Sequence, residues 1–268
     1  MEGLQIVVCG SLVPDPLQTL EPVETPQGPG LKNETMLPSV LDPWASHSLY
    51  EAADLAGKNP GSKVYLVSLG PKAKLQQLMM SVAQKVPFEL VAVDGSASGF
   101  TDPAEVAEAL ADAIEDIPGL DKSKMLLFGG CASASRDAGV TLQLVGEHLG
   151  ITEQFVGVDE LKMKDDGSFS LLERIEGGQY LSSTCASTPA VVAWATGSLP
   201  EPPNNPQVGM INMRGVMPAL AKARPVRIGT GGIKYVKTEI PAQKRDTRIV
   251  KDVSPDEIAA ELVEWIKN

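Results

Sequence analysis

A regular alternation between two kinds of segment constrains the fold of this chain more than any other feature. Short runs rich in apolar and β-branched residues alternate with longer segments whose apolar residues recur at helical spacing. The predicted strands are Leu4–Cys9, Lys63–Leu69, Phe88–Val93, Met125–Phe128 and Ala190–Ala195. The predicted helices are Trp44–Gly57, Lys72–Lys85, Pro103–Ile117 and Asp137–Gly150. This alternation predicts an α/β protein whose doubly wound, mostly parallel sheet is covered by helices on both faces.

A predicted hairpin and a proline-rich segment follow. Residues Gln154–Ile175 form two extended segments around Asp165-Asp166-Gly167, and Asp-Gly favours the positive φ of tight hairpin turns. We therefore expect an antiparallel hairpin added to the parallel core. Because the proline-rich backbone of Leu199–Pro206 cannot enter a central strand, we expect an exposed loop that continues through Gly209–Met217.

The C-terminal part of the sequence differs in character from the rest. A glycine-rich cluster at Gly229–Gly232 precedes a polar extended segment and a last predicted helix, Pro255–Lys267, with Ser254 as its N-cap. This tail has too little apolar surface to fold alone. We therefore divide the chain into an α/β domain, residues 1–230, and a C-terminal arm, residues 231–268, that needs a partner surface to lie on.

Charge and composition argue against several functions. A net charge of −11 and a pI near 4.7 disfavour nucleic-acid binding, because phosphate backbones attract clustered Lys and Arg. No apolar run approaches the roughly 20 residues that cross a bilayer, and the N-terminus lacks a secretory signal. We therefore expect a cytoplasmic protein without membrane insertion. The widely separated Cys9, Cys131 and Cys185 argue against a disulfide framework or a Cys metal pair.

Little in the sequence supports independent catalysis. The two histidines, His47 and His148, lie in predicted helices, and we expect structural roles for both. No Ser-His-Asp, HExxH or Walker A pattern is present. We therefore expect no catalytic residues and no metal site in this chain.

Three loops of small residues follow predicted strands and point to a ligand. The loop after Gly129-Gly130 leads into a helix, so its backbone N–H groups and the helix dipole favour a phosphate, with Arg136 as an added charge. The loops Cys9–Ser11 and Ser68–Pro71 end at the same edge of a parallel sheet, where ligands bind. Together they indicate an adenine nucleotide, although each alone also fits ordinary turn chemistry. The candidate binding residues from these loops are Cys9, Gly10, Ser11, Leu69, Gly70, Gly130, Arg136, Asp137, Ala138, Gly139, Val140 and Thr141.

Several short segments, in order and at matching spacing over nearly the whole chain, resemble the beta subunit of electron transfer flavoproteins. These segments are Val13-Pro14-Asp15, Asp42-Pro43-Trp44, Ser68-Leu69-Gly70-Pro71, Asp137-Ala138-Gly139, Gly177-Gly178, Pro189-Ala190-Val191 and Arg214-Gly215-Val216-Met217. The chain departs from the family at Ser11, where the family has Lys, and at Asp42, where it has Asn. It also has Ala132–Ser135 followed by Arg136 in place of Gln-Ala-Ile-Asp.

The resemblance implies a Rossmann-like subunit that works as a heterodimer with the alpha subunit, which carries most of the redox FAD. Ordinary members bind AMP in the beta subunit, whereas electron-bifurcating members bind a second FAD there. Electrons pass between flavin dehydrogenases and an acceptor such as a quinone oxidoreductase, and the beta chain alone catalyses nothing.

The resemblance also implies roles for individual residues. Asp42 belongs to the cofactor-binding set, and Trp44 lies near a flavin, for which the simpler alternative is a core tryptophan. The Gly209–Met217 loop docks the redox partner, with Met213 as the anchor beside Val216 and Met217.

Two other functions remain open at this stage. A stand-alone adenine nucleotide-binding protein of the universal-stress type shares the predicted sheet, but it has no use for the hairpin and arm. A hydrolase or ligase acting on adenine nucleotides would need acid, His and Gly-rich groups that the sequence lacks.

Overall fold

The computed structural model describes residues 3–267 except 27, 98–100, 136–138, 230, 231, 234, 235, 238, 243 and 245. The strands within these residues are β1 (Gln5–Cys9), β2 (Leu12–Pro14), β3 (Pro22–Thr25), β4 (Gly28–Leu31), β5 (Ser39–Leu41), β6 (Lys63–Gly70), β7 (Glu89–Asp94), β8 (Met125–Gly130), β9 (Gln154–Met163), β10 (Phe169–Arg174), β11 (Tyr180–Cys185), β12 (Ala190–Trp194) and β13 (Arg224–Pro225). The α-helices are α1 (Pro43–Lys58), α2 (Lys72–Val82), α3 (Pro103–Glu115), α4 (Thr141–His148), α5 (Pro206–Ala221) and α6 (Pro255–Lys267).

One large sheet organises the α/β domain. Its nine strands lie in the order β11-β10-β9-β12-β8-β1-β6-β7-β13. Neighbours from β9 to β13 in this order pair in parallel, whereas β9, β10 and β11 pair antiparallel. The predicted doubly wound parallel sheet and the added hairpin are therefore confirmed. Two small antiparallel pairs, β2 with β5 and β3 with β4, occupy the connection between β1 and α1.

Alternate residues along each central strand enter two separate apolar cores. In β1, Ile6 and Val8 join a core with residues of α1, α2 and α5, whereas Val7 joins a second core with α3 and α4. Because both faces of the parallel strands are covered, the strands need apolar residues at successive positions rather than at every second one. This explains the continuous apolar runs in the sequence.

The predicted helix Asp137–Gly150 begins later than expected. The observed helix α4 starts at Thr141, after Gly139 adopts a left-handed φ of 64° and Val140 takes the N-cap position. A left-handed residue cannot belong to a right-handed helix, so the helix cannot include Gly139.

The prediction of a loop at Gly209–Met217 is wrong, because this segment lies within helix α5. Asn205 caps the helix, its Oδ1 accepting hydrogen bonds from the N–H groups of Gln207 at 3.0 Å and Val208 at 3.4 Å. Pro206 occupies the first helical position, where its missing N–H costs nothing. The last residue of the proline-rich segment therefore begins a helix, and only residues 199–205 form the predicted loop.

Helix α6 forms where the sequence predicted it and has no buried residue. Its N-terminus carries a reciprocal cap, in which Ser254 N–H donates to Glu257 Oε2 at 2.9 Å and Glu257 N–H donates to Ser254 Oγ at 3.3 Å. Every residue of 232–267 with an assigned exposure is at least partly exposed. The division between a domain at 1–230 and an arm at 231–268 stays a prediction.

Asn212 joins α5 to the segment between α2 and β7, and its removal tests this packing. The buried amide donates through Nδ2 to the carbonyls of Ala83 at 2.7 Å and Val86 at 2.8 Å, and Oδ1 accepts from Phe88 N–H at 3.3 Å. Because Asn212→Ala leaves these backbone groups unpaired, we expect the free energy of unfolding to fall by about 2–4 kcal/mol. Urea unfolding measures the loss.

The exposed Asn204 provides the matched control for this substitution. Asn204→Ala should change stability by less than about 0.5 kcal/mol. Equal losses in the two variants would show that the Asn212 hydrogen bonds do not hold α5 in place.

Candidate functional site

The carboxyl ends of β1, β6 and β8 meet at one edge of the sheet. The chain runs from β1 outward to β6 and β7, then crosses back through α3 to β8 on the other side of β1. The loops after β1 and β8 therefore diverge, and such a switch point is where open parallel sheets bind ligands.

Two small adjoining pockets lie at this edge, with volumes of about 60 and 80 Å³. Both are lined by Gly10, Ser11 and Leu110. Among the predicted residues, the first pocket also contains Cys9, Asp42, Gly130, Gly139, Val140 and Thr141, and the second contains Leu69 and Gly70. The three loops singled out in the sequence thus come together. Arg136, Asp137 and Ala138 lie outside the described residues.

Backbone and hydroxyl contacts fix the loop after β1 against the end of strand β6. Gly10 N–H donates to Val67 O at 3.0 Å, and the buried Ser68 hydroxyl donates to Gly10 O at 2.8 Å. Desolvation raises the pKa of the neighbouring Cys9 thiol to about 12, although part of the residue remains accessible. At neutral pH this side chain is therefore an uncharged thiol that lines the pocket.

Asp42 joins three segments around the first pocket. Its Oδ1 accepts Trp44 N–H at 3.1 Å and caps α1, while Oδ2 accepts the Ser133 hydroxyl at 2.8 Å and Ala134 N–H at 2.9 Å. Its own N–H donates to Ser11 O at 2.9 Å. Asp42 is buried, and its two bonds to Ser133 and Ala134 hold the loop after β8 beside α1. Asp42 therefore shapes the pocket through the loops that it holds.

Gly130 allows α1 to approach the loop after β8 closely. A Cβ atom at this position would lie 2.4 Å from Cβ of Trp44 and 2.8 Å from Ala132 O, distances that no real side chain tolerates. Trp44 is half-buried against this glycine and lines neither pocket. Its proximity to a flavin stays a prediction.

The N-terminus of α4 lies at the first pocket. Its N-cap residue Val140 supplies no side-chain acceptor, so the N–H groups of the first turn depend on other partners. Gly139, Val140 and Thr141 all line the pocket, and a helix N-terminus attracts anions. The described lining residues of this pocket include no Lys or Arg. Among these described residues, a phosphate would find donors in backbone N–H groups and in the hydroxyls of Ser11, Ser133 and Thr141.

The sequence did not identify some residues of the site. Leu110 of α3 lies between the two pockets, and Val106 and Glu34 line the second. The helical spacing of Val106 and Leu110 indicates burial, but it cannot show that α3 reaches this edge. Glu34 lies in the irregular connection before β5, which carries no motif.

The predicted docking residues point in different directions from α5. Val216 is completely buried, Met213 is half-buried against the core, and Met217 is 45% exposed. Val216 faces the sheet because α5 is a packed helix rather than a loop. The large hydrophobic residues that α5 exposes most are Met210, at 65%, and Ile211, at 67%.

The described residues contain no group of three or more His, Cys, Asp or Glu side chains arranged to hold a metal ion. None of their helices combines the length and hydrophobicity that crossing a bilayer requires.

The mostly parallel sheet, with small-residue loops converging at its switch point, defines a Rossmann-like α/β fold. Comparison with known families is more specific, since the model of the electron transfer flavoprotein domain matches residues 33–223, more than half of the chain. The chain therefore belongs to the electron transfer flavoprotein domain family, whose members are electron carriers. Comparison with curated proteins gives no match.

Proposed function

We propose that this chain is the beta subunit of a heterodimeric electron transfer flavoprotein. It would carry electrons between flavin dehydrogenases and an acceptor such as a quinone oxidoreductase, with most of the redox FAD held by the alpha subunit. The family match carries this proposal. The order of the beta-type segments along the sequence and the exposed C-terminal helix favour the beta subunit over the alpha subunit.

The pockets at the strand ends support a bound adenine nucleotide. The first pocket, with the α4 N-terminus, suits a phosphate, and the second, with Glu34 as an acceptor, suits ribose hydroxyls. At about 60 and 80 Å³ they match parts of a nucleotide rather than the roughly 300 Å³ or more of a whole ligand pocket. Binding of a whole nucleotide therefore requires these pockets to widen. The smaller AMP fits this arrangement better than a second FAD.

We expect acid extraction of the purified heterodimer to release about one AMP for each FAD. Gly130→Ala should lower the AMP content severalfold, because its Cβ would push the loop after β8 away from Trp44. Chromatography of the extract measures both nucleotides.

Gly215→Ala, in an exposed part of α5 where a Cβ meets nothing within 4 Å, is the control and should retain full AMP. A complex with one flavin and no other nucleotide would contradict the proposed site. Two FAD for each heterodimer would instead identify the electron-bifurcating type.

The arm supports an obligate partner. The chain on either side of the boundary at 230 is held at the N-terminal end of α3, where Gly229 N–H donates to Glu105 and Ile233 N–H donates to Oδ2 of the N-cap residue Asp102 at 3.1 Å. Thr230 and Gly231 lie outside the described residues. Helix α6 then presents an apolar stripe consisting of Ile258, Leu262, Trp265 and Ile266, which are 48%, 48%, 66% and 84% exposed. Such a stripe is typical of a helix that packs against another surface, which we propose to be the alpha subunit.

We expect the double variant Leu262→Glu/Trp265→Glu to weaken assembly with the alpha subunit by at least about tenfold, as for interface anchors. Deletion of residues 231–268 should weaken it further. Analytical ultracentrifugation of the coexpressed subunits measures the dissociation constant.

Ala260→Glu introduces one such charge on the side of α6 opposite the apolar stripe, and it should leave assembly unchanged. If the double variant assembles as tightly as this control, the arm does not bind the partner.

For redox-partner docking we propose a groove of about 520 Å³ between α2 and α5. Its lining includes Met80, Met210, Met213 and Arg214. Met213 forms its inner part, and Met80 and Met210 are 62% and 65% exposed. Flexible thioether side chains suit a surface that accepts different partners. Of the residues predicted for docking, Met213 lines this groove, Met217 is exposed but does not line it, and Val216 is buried in the core.

Met213→Ala should slow electron exchange at limiting partner concentration by a factor corresponding to about 1–4 kcal/mol of lost docking energy. Met210→Glu should have a similar effect through its charge. Stopped-flow reduction of the acceptor measures the rates, and flavin content confirms that the complex is intact.

Leu17→Glu places the same charge on a residue that is 91% exposed and outside the groove, and it should exchange electrons at the normal rate. Normal rates in both methionine variants would exclude this groove from docking.

A further inference from the structure

The two helices that form the groove between α2 and α5 differ in charge from the rest of the protein. Neither helix contains Asp or Glu, whereas each of the other described α-helices contains at least one. The whole sequence has 34 such residues among 268 and a net charge of −11. The groove is therefore built by two acid-free helices on a protein that is acidic overall.

The charged side chains on these helices and at the end of α5 are all cations. Lys72 and Lys74 lie in the first turn of α2. Arg214 lies in the middle of α5 and lines the groove, and Lys222 is the C-cap of α5. None of the four makes an ion pair with another described residue. Their charges therefore remain available to an incoming surface.

Two acids border this face, and both already have partners. Glu201 pairs with Lys85 at 2.6 Å, and Asp94 Oδ1 accepts Lys72 N–H at the start of α2 at 3.0 Å. Neither carboxylate is among the residues that line the groove. Arg214 therefore has no acid beside it in the described lining of the groove.

Apolar side chains surround this arginine on a helix that is held in place. Met210 and Met213 line the groove together with Arg214. Nδ2 of the neighbouring Asn212 donates to two backbone carbonyls, which fixes α5 on the core. A preformed hollow of about 520 Å³ can receive a protruding apolar side chain. A guanidinium in its wall can pair with a carboxylate next to that side chain.

An anionic membrane also attracts exposed apolar and basic residues. Membrane-surface helices carry many cations and insert protruding apolar side chains, but α5 contains a single cation, Arg214. Met213 lies half-buried in a hollow instead of protruding. A hollow receives a side chain, so the observations favour a protein surface.

We infer that the groove between α2 and α5 binds an acidic protein surface on which carboxylates flank an apolar side chain. The apolar side chain enters the hollow at Met210 and Met213, and a neighbouring carboxylate pairs with Arg214. The acidic remainder of this chain repels such a surface, so the groove also sets the orientation of approach. This inference rests on the proposed docking function and adds the chemistry of the partner.

Three short peptides that differ only in charge test this chemistry. Their sequences are Glu-Glu-Leu-Phe-Glu-Glu, Gln-Gln-Leu-Phe-Gln-Gln and Lys-Lys-Leu-Phe-Lys-Lys, with blocked ends. The full-length chain is labelled with ¹³C at the methyl groups of its nine methionines. We expect the acidic peptide to shift the Met80, Met210 and Met213 signals in a saturable way. It should bind at least about tenfold more tightly than the neutral peptide, and the basic peptide should not bind.

A charge reversal at the groove has a matched control elsewhere on the chain. Arg214→Glu should weaken binding of the acidic peptide at least about tenfold and leave binding of the neutral peptide unchanged. Lys164→Glu makes the same change at an exposed position in the turn between β9 and β10. This control should bind the acidic peptide normally. The methionine signals outside the groove show whether each variant is folded.

Two results with peptides would overturn the inference. One is a neutral peptide that binds as tightly as the acidic one, and the other is an equal loss of binding in Lys164→Glu and Arg214→Glu. Phosphatidylserine vesicles that shift the groove signals, when the acidic peptide does not, would also overturn it and would indicate a membrane surface instead.

Electron exchange separates this inference from the docking function on which it rests. Slow exchange in both Met213→Ala and Arg214→Glu would support an acidic redox partner. Slow exchange in Met213→Ala alone would keep the groove as the docking site and overturn only the acidic chemistry of the partner. Normal exchange in both variants would overturn the docking function and this inference together.

Discussion

The parallel strands at the centre of the main sheet must be covered on both faces, and the rest of the domain follows from this requirement. A strand in the middle of the sheet has side chains in both apolar cores, as Val7 and Val8 show. Parallel neighbours also need crossover connections, and helices supply them while covering the faces. Because the strands are parallel, their carboxyl ends lie at the same edge of the sheet. The loops that follow the strands are therefore neighbours at this edge.

Within that edge, the position of β1 decides where the site lies. The chain leaves β1 towards β6 and returns on the opposite side at β8, so α1 and α3 separate around the gap. Asp42 holds the walls of this gap together through bonds to the loops after β1 and β8 and to the start of α1. A buried carboxylate is stable in this position because several N–H and O–H groups replace its lost hydration. Because both carboxylate oxygens of Asp42 accept these bonds, the side chain has a structural role in the pocket wall.

The two candidate interaction surfaces differ in how they are supported. Helix α5 packs on the core through Asn212, Val216 and Leu220. Its exposed methionines, Met210 and Met217, therefore lie on a helix that is held in place. Helix α6 has a capping box but no buried contact. Most of a helix's stability in proteins comes from packing of its apolar face. Packing of the apolar stripe against a partner would therefore stabilise α6. Helix α5 is already stabilised by its packing on the core and does not need a partner.

Local rules in the sequence determined the elements of this protein. Apolar runs placed the central strands to within one or two residues, the Asp165-Asp166-Gly167 turn identified the hairpin, and Ser254 with Pro255 marked the start of the last helix. These signals depend on neighbours a few residues apart, so they can be read without the fold. The Asn205-Pro206 cap is a signal of the same kind. The prolines that precede it favour a loop, and the prediction extended that loop over the start of α5.

Tertiary structure alone decided what these elements bring together. The order of strands around β1 is set by long-range packing, and only that order places Leu110 and Glu34 beside Gly10. Burial of Val216 depends on which side of α5 meets the sheet. The acid-free groove depends on the contact between α2 and α5, which lie far apart along the chain. A sequence states which residues are apolar or polar over short distances, but contacts between residues far apart along the chain exist only once the chain has folded.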